Sequence, residues 1–283
     1  MALQAHHDCR EPCCKLQATL KLLLTTLEER LWPYVTIFRM IDHTIGLPVQ
    51  PPDGVQRTWR LADILLITIS SVIILFAGVF ALQQLKLDAL ALTLASAAWE
   101  AVTLIGCIVL LGLRRNGLPW QAVGLRLVPR RWIWIATGAG LACLFLTGFV
   151  ALLTDIILGR SLTNPQLPFL LPKGLTLTGE LLMLVLAGLV VPFAEELYFR
   201  GVLFVWLRQR FGFWVGAIVS ALVFGAAHGD VAIAAGIAVM GFIQAWTYER
   251  SHSLWTTYVI HALNNSVKLV LLYGLLASGL TLR

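Results

Sequence analysis

The run VVPFAEELYFRGVLFVWLRQR, Val190 to Arg210, decides how the chain is read. Uncharged residues from Leu181 to Ala194 lead into two adjacent acids, Glu195 and Glu196, and Arg200 follows. Such a run is long and apolar enough for a membrane helix, where a charge is costly unless it is paired, wetted or functional. Glu196 and Arg200 are spaced i, i+4, so they share a helix face and can neutralise one another. Glu195 points about 100° away and has no such partner in the run. On its own the pattern also fits a salt-bridged pair at a membrane interface beside one solvated acid.

The rest of the chain sets the context for this run. Its 283 residues are 58% hydrophobic and 13% charged, with mean hydropathy +0.81. Soluble domains carry about 25% charged residues, so this is read as an integral membrane protein. Apolar blocks at residues 61–82, 89–113 and 132–154 are long enough to span. A fourth helix begins near Thr178, a fifth at Phe213, a sixth near Val231 and a seventh near Leu254. The expected fold is all-α, a polytopic membrane helical bundle of about seven transmembrane helices. Residues 61–176 hold the first three helices, and residues 177–283 form the core that carries the acids.

Residues 1–60 form a preface to these spans. Leu16, Leu20, Leu23, Leu27 and Leu31 recur at helical spacing among charges, which predicts an amphipathic helix lying on the membrane or the bundle. Pro48, Pro51, Pro52 and Gly54 make a linker before the first span. The opening mixes acids, bases and histidines and does not read as a signal peptide. Of the five cysteines, Cys9, Cys13 and Cys14 read as a reduced tail, and Cys107 and Cys143 as core.

Charge gives the orientation. Arg114, Arg115, Arg126, Arg130 and Arg131 lie between the second and third spans, which places that loop in the cytoplasm. Alternating spans then put most of the 21 basic residues on the side of the N-terminus, so the N-terminus is cytoplasmic, in a plasma or inner membrane. The net charge of +6 suits anionic membrane lipid as a partner. No basic-aromatic patch points to nucleic acid.

Two histidines fall within the late spans. His228 ends FGAAH, one turn after Phe224, and His261 opens HALNN, one turn before Asn265. A single buried histidine is more often a packing residue than a functional one. Two histidines, two acids and an asparagine on three helices otherwise nearly free of ionisable groups are a different matter. Glu100 and Lys268 are the exceptions, read as pairing across helices or snorkelling. Two depths are open for Glu195. A simple hairpin at residues 211 and 212 sets it about 25 Å from the turn, whereas an interface at Arg200 sets it about 8 Å deep and His261 about 12 Å deep.

EELYFR fits E-E-x-x-x-R, FGAAH fits F-x-x-x-H and HALNN fits H-x-x-x-N. In this order, over residues 181–273, they resemble the CPBP (CAAX protease and bacteriocin-processing, or Abi) family of intramembrane endopeptidases. The resemblance implies a glutamic-type peptidase that needs no cofactor. Glu195 would be the general base and His228 would hold the attacking water. His261, as a neutral imidazole, and Asn265 would donate to the oxyanion, each worth about 3 kcal/mol in a dry site. Glu196 and Arg200 would orient and balance the site, with Phe224 packed beneath. The substrate would be a peptide or protein, prenylated or otherwise membrane-anchored.

Three rival readings remain open. Zinc could be held by Glu195, His228 and His261 with a fourth position open. A non-proteolytic scaffold or bacteriocin-immunity protein could keep the fold, although every motif residue is present here. A transporter would show paired, broken helices, and no internal repeat is seen.

Overall fold

A computed structural model describes residues 59–161 and 164–278. The expected amphipathic helix, with Cys9, Cys13 and Cys14, lies outside the described residues. Every regular element among the described residues is helical. Helix α1 is Leu61–Gln84, and α2 is Ala89–Cys107, continued by a π segment at Ile108–Arg114. Asp88 starts α2 by accepting the Ala91 amide at 2.8 Å. Helix α3 is Arg130–Ile157.

A run of 50 residues, Leu177–Ala226, follows and bends once. The bend is at Gly212, whose φ of 85° and ψ of 176° interrupt the helix. Glycine has no Cβ to oppose that conformation. The arms, residues 177–211 (α4) and 213–226 (α5), are therefore separate helices, with the reversal where the sequence placed it. Helix α6 is Val231–Ser251, capped by the Asp230 side chain, and α7 is Leu254–Ala277, capped by Ser253. Counted by length and hydropathy among the described residues, six runs can cross a membrane, because α4 and α5 form one of them. The α5 arm, about 21 Å long, is too short to cross alone.

The bundle presents many large apolar side chains on its outer surface. Phe76, Phe145 and Phe149 stand exposed on α1 and α3, as lipid-facing residues do. Cys107 and Cys143 are buried in the core, as expected. The arginine-rich segment folds onto one end of the bundle. The Gly124 carbonyl accepts the Leu254 amide at 2.7 Å, and the Arg126 carbonyl accepts the Ser253 hydroxyl. A Cβ at Gly201 would meet Val123 at 2.9 Å, so only glycine lets the segment lie this close to α4. The Trp59 indole, just before α1, donates to the Gly201 carbonyl at 3.1 Å. Gly201 is thus level with the starts of α1 and α7.

The site lies about 8 Å along α4 from Arg200, and the residues beyond Gly201 extend past the arginine-rich segment to the Gly212 bend.

Candidate active site

The acids sit on a helix segment that two irregularities isolate. Pro192 has no N–H to close a bond to the Gly188 carbonyl one turn earlier. The helix widens there into a π segment, Leu186–Val190. Two α7 side chains take up the freed carbonyls: Asn265 Nδ2 donates to Ala187 and Ser266 Oγ to Gly188, each at 3.2 Å. A second π segment, Phe199–Phe204, follows. Between them Val191–Tyr198 carries Glu195 and Glu196. π turns of this kind recur at functional sites because they re-aim side chains.

Glu196 is fully buried. Its Oε1 accepts from Arg200 Nη1 at 3.0 Å, from Gln244 Nε2 at 2.8 Å and from His261 Nδ1 at 2.8 Å. Arg200, 1% exposed, also donates from Nη2 to Gln244 Oε1 at 2.6 Å, and its guanidinium lies 4.3 Å from the Phe224 ring centre. The i, i+4 pair expected from the sequence is therefore the floor of a larger network. Phe224 does pack beneath it, meeting the His228 and His261 rings edge-on at 5.2 and 5.5 Å.

His261 joins both acids. Its Nε2 stands 3.5 Å from Glu195 Oε2, so Glu195 has the partner that its own helix could not supply. A carboxylate that already receives an arginine can only accept, so His261 Nδ1 must be the donor toward Glu196. A neutral His261 then presents a lone pair, not a proton, at Nε2. Donation to an oxyanion from that nitrogen needs the doubly protonated ring, which corrects the neutral-donor expectation. His228 follows the same rule. Its Nδ1 faces the Phe224 carbonyl at 3.0 Å and must donate there, which leaves Nε2 free.

Glu195, His228, His261 and Asn265 line one cavity of about 830 Å³, with Asn264, Glu100 and Lys268. The cavity reaches the loop that begins at Asn164. Glu100 and Lys268 do not pair with each other; Lys268 Nζ donates to Thr147 Oγ1 at 2.9 Å instead. Gln244 went unnoticed in the sequence, although a glutamine in the apolar run of α6 is itself a signal of a buried partner. Tyr198, whose hydroxyl is 2.6 Å from Thr68 Oγ1, gave no comparable signal.

Zinc does not fit the arrangement as it stands. Among the described residues no three His, Cys, Asp or Glu side chains converge as a metal site requires. The charged group nearest in sequence outside the spans is Asp230. Its bond to Arg160, the amides of Ile233 and Ala232 and the Arg160 charge hold its carboxyl below the usual range.

Residues 177–267 match the family model described as "Type II CAAX prenyl endopeptidase Rce1-like". All three motifs, from Glu195 to Asn265, fall inside that match. That match supports the CPBP family. Over 188 residues, 62% of this chain and 72% of the relative, the chain is 26% identical to "Putative membrane peptidase YdiL" of Bacillus subtilis (strain 168). No solved structure matches. The matched segment contains the whole network around Glu196, and both matches support a CAAX-protease-like membrane peptidase. Glu100 and Thr147, on α2 and α3, lie outside it.

Proposed function

We propose that the chain is a glutamic-type intramembrane endopeptidase. The observation that carries this reading is that His261 bridges Glu195 and Glu196 at the wall of a cavity that His228 and Asn265 also line. Water held by Glu195 and the free Nε2 of His228 attacks the carbonyl carbon of a peptide bond. Glu195 takes the proton that the water loses. The tetrahedral oxyanion faces Asn265, and His261 adds a donor when its ring carries both protons. The C–N bond then breaks, and the proton on Glu195 passes to the leaving nitrogen.

Glu196, neutralised by Arg200 and tied by Gln244, fixes the His261 ring and its tautomer. No step passes through a metal. The substrate is a peptide or protein held in the membrane; a prenylated tail, a leader peptide and a membrane-protein tail all suit a cavity whose lining is largely apolar. The N-terminus faces the cytoplasm, as the arginine-rich loop requires.

The test compares cells carrying the wild type with cells carrying Glu195→Gln by quantitative proteomics. The proposal expects one membrane-associated precursor to accumulate with Glu195→Gln and to be cut by the purified wild type. Equal cleavage by both proteins would overturn it, and a phenotype without any cleaved precursor would favour the scaffold reading.

A further inference from the structure

Helix α7 presents a polar edge to the cavity that continues beyond the acids. His261, Asn264, Asn265 and Lys268 fall at i, i+3, i+4 and i+7, so they share one face. Lys268 has no carboxylate within ion-pair distance among the described residues. Its ammonium has three protons, and the structure uses one, on Thr147 Oγ1. Lys268 is exposed along the cavity wall, so its two remaining donors are open to an anionic group that enters the cavity. A second unmet group lies on the same edge. Asn264 is 3% exposed, and its Oδ1 is buried without a hydrogen-bond partner.

We propose that Lys268 is the specificity residue that receives a carboxylate of the substrate, either a chain end or an acidic side chain, with Asn264 accepting a backbone N–H on the way. This rests on the peptidase reading of the site. Seven residues of helix separate His261 from Lys268, about 10 Å along α7. An extended peptide covers that distance in about three residues. The carboxylate that Lys268 holds is therefore about three residues from the bond that meets Glu195. Neither Lys268, just past the matched segment, nor its partner Thr147 belongs to the three motifs.

The test measures binding and needs no turnover. Full-length Glu195→Gln protein in lipid nanodiscs is titrated with three fluorescent probes. These are dansyl-trileucine as the free acid, the same peptide as the C-terminal amide, and dansyl-Leu-Leu-Glu amide. The free acid should bind at least about tenfold tighter than its amide. Lys268→Met should remove that preference and Lys268→Arg should keep it, with both variants checked for an unchanged melting temperature. A tight Leu-Leu-Glu amide assigns the site to acidic side chains as well, and a weak one assigns it to chain ends.

Equal binding of acid and amide, a preference that survives Lys268→Met, or no binding of any probe would each overturn the proposal. Failure of Glu195→Gln to abolish cleavage would instead count against the peptidase reading and leave the binding result standing.

Discussion

His261 Nδ1 stands 2.8 Å from Glu196 Oε1, the same oxygen that receives Arg200 and Gln244. One carboxylate oxygen thus organises three helices, and the adjacent acid, Glu195, is left to face the cavity. The two glutamates therefore have separable duties, and mutation should separate them.

Glu195→Gln keeps the shape of the side chain and removes the base. Cleavage should fall below detection, while the melting temperature in detergent stays near that of the wild type. Glu196→Gln removes the negative charge that Arg200 needs in a dry site. Breaking such a pair typically costs about 3–5 kcal/mol, so yield and melting temperature should fall together with activity. If Glu196→Gln melted like the wild type, its role as the neutralising floor would be wrong.

Asn265 and Ser266 hold the same widened turn of α4, but only Asn265 reaches the cavity. Losing either bond should cost about 1 kcal/mol of stability. Asn265→Ala should in addition lower kcat about 10²–10³-fold, as loss of an oxyanion donor does. Ser266→Ala should leave kcat nearly unchanged. Equal kcat for the two variants would reduce Asn265 to a structural anchor.

Metal dependence is read by chelation. Enzyme treated exhaustively with a chelator and assayed in metal-free buffer should keep its rate, and no stoichiometric zinc should be found. His261→Ala should lower kcat without altering metal content. Loss of activity on chelation, restored by zinc, would replace the water-activation scheme with a metal-assisted one.

Asp230 gives a prediction about pH. Its carboxyl is held low in the folded protein, chiefly by the bond to Arg160. The sign follows from linkage: the stabilisation is present above the unfolded-state carboxylate pKa and is lost as pH falls through the depressed folded value. Asp230→Asn keeps an acceptor for the α6 cap but loses the charge. It should lower the melting temperature slightly at neutral pH, flatten the acid limb of the profile, and converge with the wild type once pH falls below the depressed folded value. An acid limb identical to the wild type would mean that the pair contributes nothing.

Topology can be checked by labelling. Cysteines placed at Arg115 and at Asn164 should react with an impermeant reagent from opposite sides, the first only from the cytoplasm. Reversed labelling of both would overturn the orientation.

Much of this architecture was legible in the chain. Long apolar runs announced the helices, and the arginine-rich segment fixed one end. Glycine in the sequence Arg210, Phe211, Gly212 marked the α4–α5 reversal. The spacing of Glu196 and Arg200 and of Phe224 and His228 was also enough to place each pair on one face.

What could not be read were relations between helices. Pro192 was visible, but the width of the turn it causes depends on Asn265 and Ser266 arriving from α7. The second partner of His261, and hence its tautomer, depends on where α7 crosses α4. Gln244 gains its meaning only when α6 brings it between Arg200 and Thr257.

The π segments on either side of Val191–Tyr198 also set how the protein tolerates length change. Each acts as one surplus residue in an α-helical frame. Closing Leu186–Val190 by deleting one residue would give a regular α-helix with Glu195 and Glu196 still nearly in phase with α7, and would forfeit the bonds from Asn265 and Ser266. In a helix that stayed α throughout, the same surplus residue would turn everything downstream by about 100° and part both acids from His261. The widened turn therefore works as a register buffer, which takes up one residue of length without moving the two acids out of phase with α7.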